Sequence, residues 1–67
     1  MPIMTFEGGI LPQEKKKELI ARLTEAAAAV MGIPEGKFIV LVRELEDGNI
    51  GVGGKTLAEV KAAREAQ

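Results

Sequence analysis

Phe38-Ile39-Val40-Leu41-Val42 is a nearly continuous apolar run, and its reading decides the fold. It predicts a strand covered on both faces, the pattern of parallel pairing, rather than the alternation of a half-solvated strand. Upstream, from Pro12 to Met31, the residues Leu19, Ile20, Leu23, Ala26, Ala27 and Val30 recur at three- and four-residue spacing, which predicts an amphipathic helix. Pro12 suits its first helical position. Gly32 suits its C-terminal cap and Pro34, just beyond, cannot continue it. Glu14 and Glu18 favour the helix dipole in the early turns, while Lys15, Lys16 and Lys17 oppose it. The small side chains Ala26 to Ala29 permit close approach to a sheet.

Further upstream, Ile3-Met4-Thr5-Phe6 reads as a first strand, with Met4 and Phe6 on one face and Ile3 and Thr5 on the other. Gly8-Gly9 ends it. Strand, helix and strand make a βαβ unit, whose crossover is expected to be right-handed. Downstream, Glu46-Asp47-Gly48-Asn49 is a turn signal. Ile50-Gly51-Val52-Gly53-Gly54 is too glycine-rich for an ordinary strand and predicts a hairpin or bulged arm. Thr56 followed three residues later by Glu59 is a capping box, opening a short helix through about Ala66 with Leu57 and Val60 on one side. The expected architecture is α/β: a small βαβ subunit with a C-terminal β-hairpin arm and a short helix. No repeat or linker divides the chain, so residues 1–67 form a single domain. Gly51-Val52-Gly53-Gly54-Lys55 lacks the spacing and the strand-to-long-helix setting of a phosphate loop.

A chain of 67 residues buries a thin core, about 60% of its unfolded surface, worth no more than about 3–5 kcal/mol. Small domains compensate with disulfides, metals or partners. With no Cys and no His, disulfides, zinc sites and Cys- or His-based nucleophiles are excluded, and no metal or cofactor is expected. Self-association remains, and 46% hydrophobic residues exceed what a monomer this small hides. The chain is expected to be an obligate oligomer with subunits pairing to extend the sheet. Nine basic and ten acidic residues are interspersed and the aromatics are only Phe6 and Phe38, which argues against nucleic-acid binding. The first residues lack a signal-peptide pattern and no apolar run approaches the about 18 residues of a membrane span. A cytoplasmic location is expected.

Pro2 carries the chemistry. A small residue after Met1 favours removal of that Met, leaving Pro2 with a free secondary amine. An α-amino group titrates at about 7.7–8.0 against about 10.4 for Lys, and burial in an apolar pocket lowers it further. The ring fixes φ near about −65°, so the lone pair is directed once the following strand is anchored. Such a group suits a general base near neutral pH. With Met1 attached, the nitrogen is a tertiary amide and has no such basicity.

Pro2 opening a strand, Glu14-Lys15-Lys16 with Leu19-Ile20 on the helix, a Pro34-led second strand ending in Arg43-Glu44, and Gly51-Val52-Gly53-Gly54 together resemble the tautomerase superfamily. The 4-oxalocrotonate tautomerase branch, 2-hydroxymuconate tautomerase-like, is the nearest in pattern, over nearly all of residues 2–54. The resemblance implies hexamers built from dimers and an amino-terminal proline as general base. It also implies two arginines that hold a substrate carboxylate and polarise its carbonyl, and an aromatic residue in the hairpin. Those positions fall here on Leu11 (or Ile10), Ile39 and Ile50, all aliphatic. The segment before the helix is one residue shorter, and a tail follows Gly54. The base stays in place and its usual electrophilic partners do not.

Enolate charge needs stabilisation. Alternation sets Arg43 and Lys37 on the strand face of Ile39. Arg43 lies roughly 13 Å along from Ile39 at about 3.3 Å per residue, which suits a strand-end ion pair with Glu44 or Glu46 or service to a neighbouring subunit's site. Lys37 reads as a solvated side chain. The expected function is keto-enol tautomerisation of a 2-hydroxydienoate or enol-pyruvate-like acid, with Pro2 catalytic and Leu11, Ile39, Arg43 and Ile50 around the substrate in a homohexamer. The alternatives are a proline-dependent decarboxylase or hydratase, in which Pro2 is cationic, and a non-catalytic oligomeric scaffold.

Overall fold

A computed structural model describes residues 1–65. Strand β1 (Ile3–Gly8) and strand β2 (Ile39–Glu44) pair in parallel, from Ile3 opposite Ile39 to Gly8 opposite Glu44. Helix α1 (Gln13–Met31) connects them and lies against β2. The βαβ unit is therefore present as the apolar periodicities require. Pro12 sits one position earlier than expected: its ψ of 148° is extended, so it caps the helix, its carbonyl accepting from the Lys15 and Lys16 amides at 3.0 and 3.1 Å. At the other end Gly32 takes φ 67°, a left-handed conformation that glycine adopts without strain, and its amide donates to the Ala28 carbonyl at 2.9 Å.

Pro34 opens a single 3₁₀ turn over Glu35–Lys37 that the sequence pattern did not announce. Phe38 then leads into β2 in extended conformation, so the second strand begins at Ile39 rather than at Phe38. Lys37 consequently lies in a turn and outside the strand alternation expected for it.

The expectation of a strand covered on both faces is corrected within one chain. Met4, Phe6, Val40 and Val42 are half-buried on the α1 side, with Leu19, Leu23 and Ala27 of the helix. The opposite face has no covering layer. Ile3, Ile39 and Leu41 stand there 60%, 37% and 52% exposed, and no described residue is fully buried. A single helix covers only one side of a two-stranded sheet, and the described residues supply no second layer.

After a 3₁₀ turn over Asp47–Asn49, strands β3 (Gly51–Val52) and β4 (Lys55–Thr56) form an antiparallel hairpin, resolving the choice between hairpin and bulged arm. Gly53 and Gly54 make its two-residue turn with φ of 61° and 87°, the positive pair that such turns demand. Helix α2 (Leu57–Glu65) follows, and its capping box is intact: the Glu59 amide donates to Thr56 Oγ1 at 3.2 Å and the Thr56 amide to Glu59 Oε1 at 3.2 Å. The expected end of this helix near Ala66 lies outside the described residues. Helix α2 packs on the hairpin and on the Asp47–Asn49 turn, where Lys61 Nζ meets Asp47 Oδ2 at 3.0 Å. The resulting arm stretches the molecule to 47 × 23 × 17 Å. Its radius of gyration is 15.9 Å, against about 11 Å for a globular chain of this length. Among the described residues no helix is long and apolar enough to cross a membrane.

Candidate active site

Pro2 stands one step before β1. Its carbonyl accepts a 3.0 Å hydrogen bond from the Ile39 amide, so the parallel ladder reaches one residue past its last pair and sets Pro2 beside Phe38. A fixed φ on one side of the Pro2 α-carbon and a tethered carbonyl on the other leave the ring little freedom. The ring lines an open hollow of about 540 Å³, with Met1, Ile33, Pro34, Gly36 and Lys37 as the other lining residues. Ile33, Pro34 and the following 3₁₀ turn make the wall. Ile33 is half-buried, and the Lys37 amide donates to the Pro34 carbonyl at 3.0 Å, which fixes where the lysine stem begins.

The other candidate residues are scattered over the chain. Ile39 is joined to Pro2 through its amide and sits on the uncovered sheet face. Arg43 shares that face four residues further along, opposite Glu7, and its Nη1 lies 3.6 Å from Glu7 Oε1. The ion pair is thus with Glu7 across the sheet, in place of the local Glu44 or Glu46. Leu11 is at the far end of β1 from Pro2. It lines a separate hollow with Phe6, Lys15, Glu18, Leu19 and Arg22. Ile50 opens the hairpin arm, its carbonyl accepting from the Leu57 amide at 2.8 Å. Within one chain only Ile39 of these residues comes next to Pro2, through its backbone amide, and its side chain does not line the hollow.

Glu44 does work that sequence reasoning missed. Pointing to the α1 side at the end of β2, its Oε1 takes Lys16 Nζ at 2.7 Å and its Oε2 takes the Leu11 amide at 2.9 Å. The lysine and then the Leu11 amide hold its carboxyl below the usual carboxylate range, against a smaller opposing cost of burial. This clamp fixes the β1–α1 connection and therefore Leu11. Nothing local in the sequence flags it, since its partners are 28 and 33 residues away. No cluster of acidic or other ligating side chains suited to a metal occurs among the described residues.

The fold has counterparts among known proteins. A family model described as "Tautomerase enzyme" matches residues 2–59. A 2-hydroxymuconate tautomerase of Bacillus subtilis (strain 168) is 31% identical over 48 residues, which cover 72% of this chain and 77% of that protein. The structure of TomN, a 4-oxalocrotonate tautomerase homologue of the tomaymycin biosynthetic pathway, superposes with a TM-score of 0.86 at 27% identity, over 91% of this chain and 95% of that one. A heterohexamer 4-oxalocrotonate tautomerase from Chloroflexus aurantiacus J-10-fl superposes with a TM-score of 0.76 at 27% identity, over 90% of this chain and 97% of that one. From Pro2 through the hairpin and into α2, sequence and backbone follow one pattern, and the chain belongs to the tautomerase enzyme family.

Proposed function

We propose that this protein, with Met1 removed, is an isomerase that interconverts the enol and keto forms of a 2-hydroxydienoate or enol-pyruvate-like acid, with the Pro2 amine as general base. The observation that carries this reading is the tethered Pro2 ring at the edge of an open hollow. Family membership and the 2-hydroxymuconate tautomerase relative support the reaction class. The neutral amine takes the enol hydroxyl proton, leaving an enolate. The oxygen electron pair then closes the C=O bond as the C=C pair takes that proton back from the ammonium at carbon. Atoms and charge balance, and no cofactor is consumed.

The acceptor surface is aliphatic at Ile39, Leu11 and Ile50. Such a lining lowers the proline ammonium pKa by desolvation and favours a less charged or bulkier substrate than a dicarboxylate. Because Leu11, Arg43 and Ile50 lie away from Pro2 in one chain, their part in the site requires neighbouring copies. A homohexamer meets that need. It is supported by the uncovered face of Ile3, Ile39 and Leu41, by the projecting arm, and by the hexameric Chloroflexus relative.

The test compares the Met1-trimmed protein, a Met1-retaining form and Pro2→Ala, each verified by intact mass. Tautomerisation of an enol pyruvate is read by ultraviolet absorbance, and ¹⁵N-proline NMR reads the amine titration. Turnover by the trimmed form alone, rising as the amine deprotonates, is the expected result. Activity that requires the protonated proline identifies the related lyase instead. Equal rates in all three forms leave only an oligomeric scaffold.

A further inference from the structure

We infer that Lys37 is the carboxylate-binding residue of the Pro2 hollow, a specificity-determining cation that stands in for the arginine missing at Ile39. The inference rests on the reading of Pro2 given above and adds the group that holds the acid end of the substrate.

Lys16, Arg22, Arg43 and Lys61 are engaged by Glu44, Glu18, Glu7 and Asp47 at 2.7, 2.8, 3.6 and 3.0 Å. Lys15 lines the hollow at Leu11, Lys55 and Arg64 line one beside the hairpin, and Lys17, exposed on α1, lines neither these nor the hollow of Pro2. Lys37 is the cation that lines the hollow containing Pro2. No carboxylate of the described residues lines that hollow: Glu35, although between Pro34 and Gly36 in sequence, is not among the lining residues. Lys37 makes no ion pair with any described residue, so its charge is available to a ligand.

Position supports the same role. The 3₁₀ turn fixes the lysine backbone through Lys37 N–H to Pro34 O and Phe38 N–H to Glu35 O, at 3.0 and 3.1 Å. Two residues on, the Ile39 amide ties Pro2. The cation and the base therefore hang from one short segment, with the flexible lysine stem able to bring the ammonium over the hollow. The hollow measures about 540 Å³ with Met1 still part of its wall, room enough for a small acid. An apolar wall of Ile33 and Pro34 with a single cation selects a substrate with one carboxylate next to its enol and an uncharged remainder, consistent with the loss of a second arginine at Leu11.

The test separates binding from chemistry. Trimmed parent, Lys37→Ala and Lys37→Arg are assayed on an aryl enol pyruvate and on its methyl ester, and the same proteins with Pro2→Ala are titrated with benzoate and benzamide by NMR. Loss of a charge-assisted contact is expected to raise KM for the acid by about 10–100-fold in Lys37→Ala, to leave the ester unchanged and to spare most of kcat. Lys37→Arg is expected to restore the acid preference. Benzoate is expected to outcompete benzamide in parent and in Pro2→Ala, and to lose that advantage in Lys37→Ala. Unchanged KM and unchanged benzoate preference in Lys37→Ala overturn the inference, even if Pro2 proves to be the base. A Lys37-dependent benzoate preference in a protein with no Pro2-dependent turnover sustains it while the isomerase reading fails.

Discussion

The Ile39 amide donates to the Pro2 carbonyl at 3.0 Å, one step outside the paired residues of the parallel ladder. The bond fixes Pro2 on its C-terminal side, and the pyrrolidine ring fixes φ on its own. A residue without that ring keeps the tether and loses the second constraint.

Pro2→Ala, with Met1 removed, is therefore expected to lower kcat/KM for an enol pyruvate by about 10²–10⁴-fold, the usual worth of a positioned base. The loss is incomplete because a primary amine remains, more mobile and differently basic. Arg43→Ala provides the contrast. Its exposed pairing with Glu7 at 3.6 Å is of the kind that contributes about 0–1 kcal/mol to stability. If Arg43 stabilises the enolate in a neighbouring site, its removal raises the barrier by about 2.7–4 kcal/mol instead. Steady-state kinetics and thermal melts on both variants read the two effects separately.

Glu44 ties the connection before α1 to the end of β2, and its charge makes that tie dependent on pH. Lys16 and the Leu11 amide depress its folded-state pKa, so the folded chain binds a proton less readily than the unfolded one. The stability this contributes is fully present above the ordinary glutamate value of about 4.3 and is lost as pH falls through the lower folded value. Glu44→Gln keeps an acceptor for Leu11 and loses the attraction for Lys16. Melting temperatures of parent and variant are expected to differ at pH 7 and to converge in acid. A difference that stays constant down to pH 3 contradicts this account of the clamp.

The βαβ core was legible because it rests on local periodicity. The Phe38–Val42 run, the spacing of Leu19, Leu23 and Val30, and the Gly32–Pro34 stop each encode an element within a few residues. The capping box of Thr56 and Glu59 is equally local, and both of its bonds are present. The candidate site was harder to see. Lys37 was assigned by strand alternation to the face of Ile39, and the unannounced 3₁₀ turn moved it into the hollow with Pro2. The Glu44 clamp and the Arg43–Glu7 pair depend on the register of two strands brought together by a helix, which no local spacing contains. The double-sided apolar run implies cover on both faces, and one chain supplies that cover on one side only.

The hairpin arm depends on two glycines. Gly53 and Gly54 hold φ of 61° and 87° in its turn. Left-handed backbone costs a residue with a β-carbon about 1–2 kcal/mol, and more when branched at that carbon. Gly53→Val is expected to distort the arm while leaving the βαβ unit folded, because β1, α1 and β2 make their contacts without it. Circular dichroism is expected to retain the α1 signal, and light scattering is expected to show weakened assembly. Loss of all helical signal together with assembly contradicts this separation of arm from core.

Leu41 tests the assembly itself. It is 52% exposed at the middle of the uncovered sheet face, beside Thr5 in the register and between Ile39 and Arg43 along the face. Covering Ile3, Ile39 and Leu41 in an interface is worth up to about 1.5–3 kcal/mol for each side chain, so self-association is favoured by the residues that a single chain leaves in water. Leu41→Asp costs the isolated subunit little, since the new carboxylate is solvated there. In a covered interface it strands a charge away from water, which is heavily penalised. Light scattering at micromolar concentration is expected to give the parent a mass several times 7.1 kDa, and Leu41→Asp a mass shifted toward the single subunit. Exchange of Arg22, which sits exposed on α1 in an ion pair with Glu18, for a neutral glutamine serves as the control and is expected to leave the mass unchanged. A parent that is a well-folded 7.1 kDa monomer overturns the assembly, and with it any contribution of Leu11, Arg43 and Ile50 to the site of Pro2.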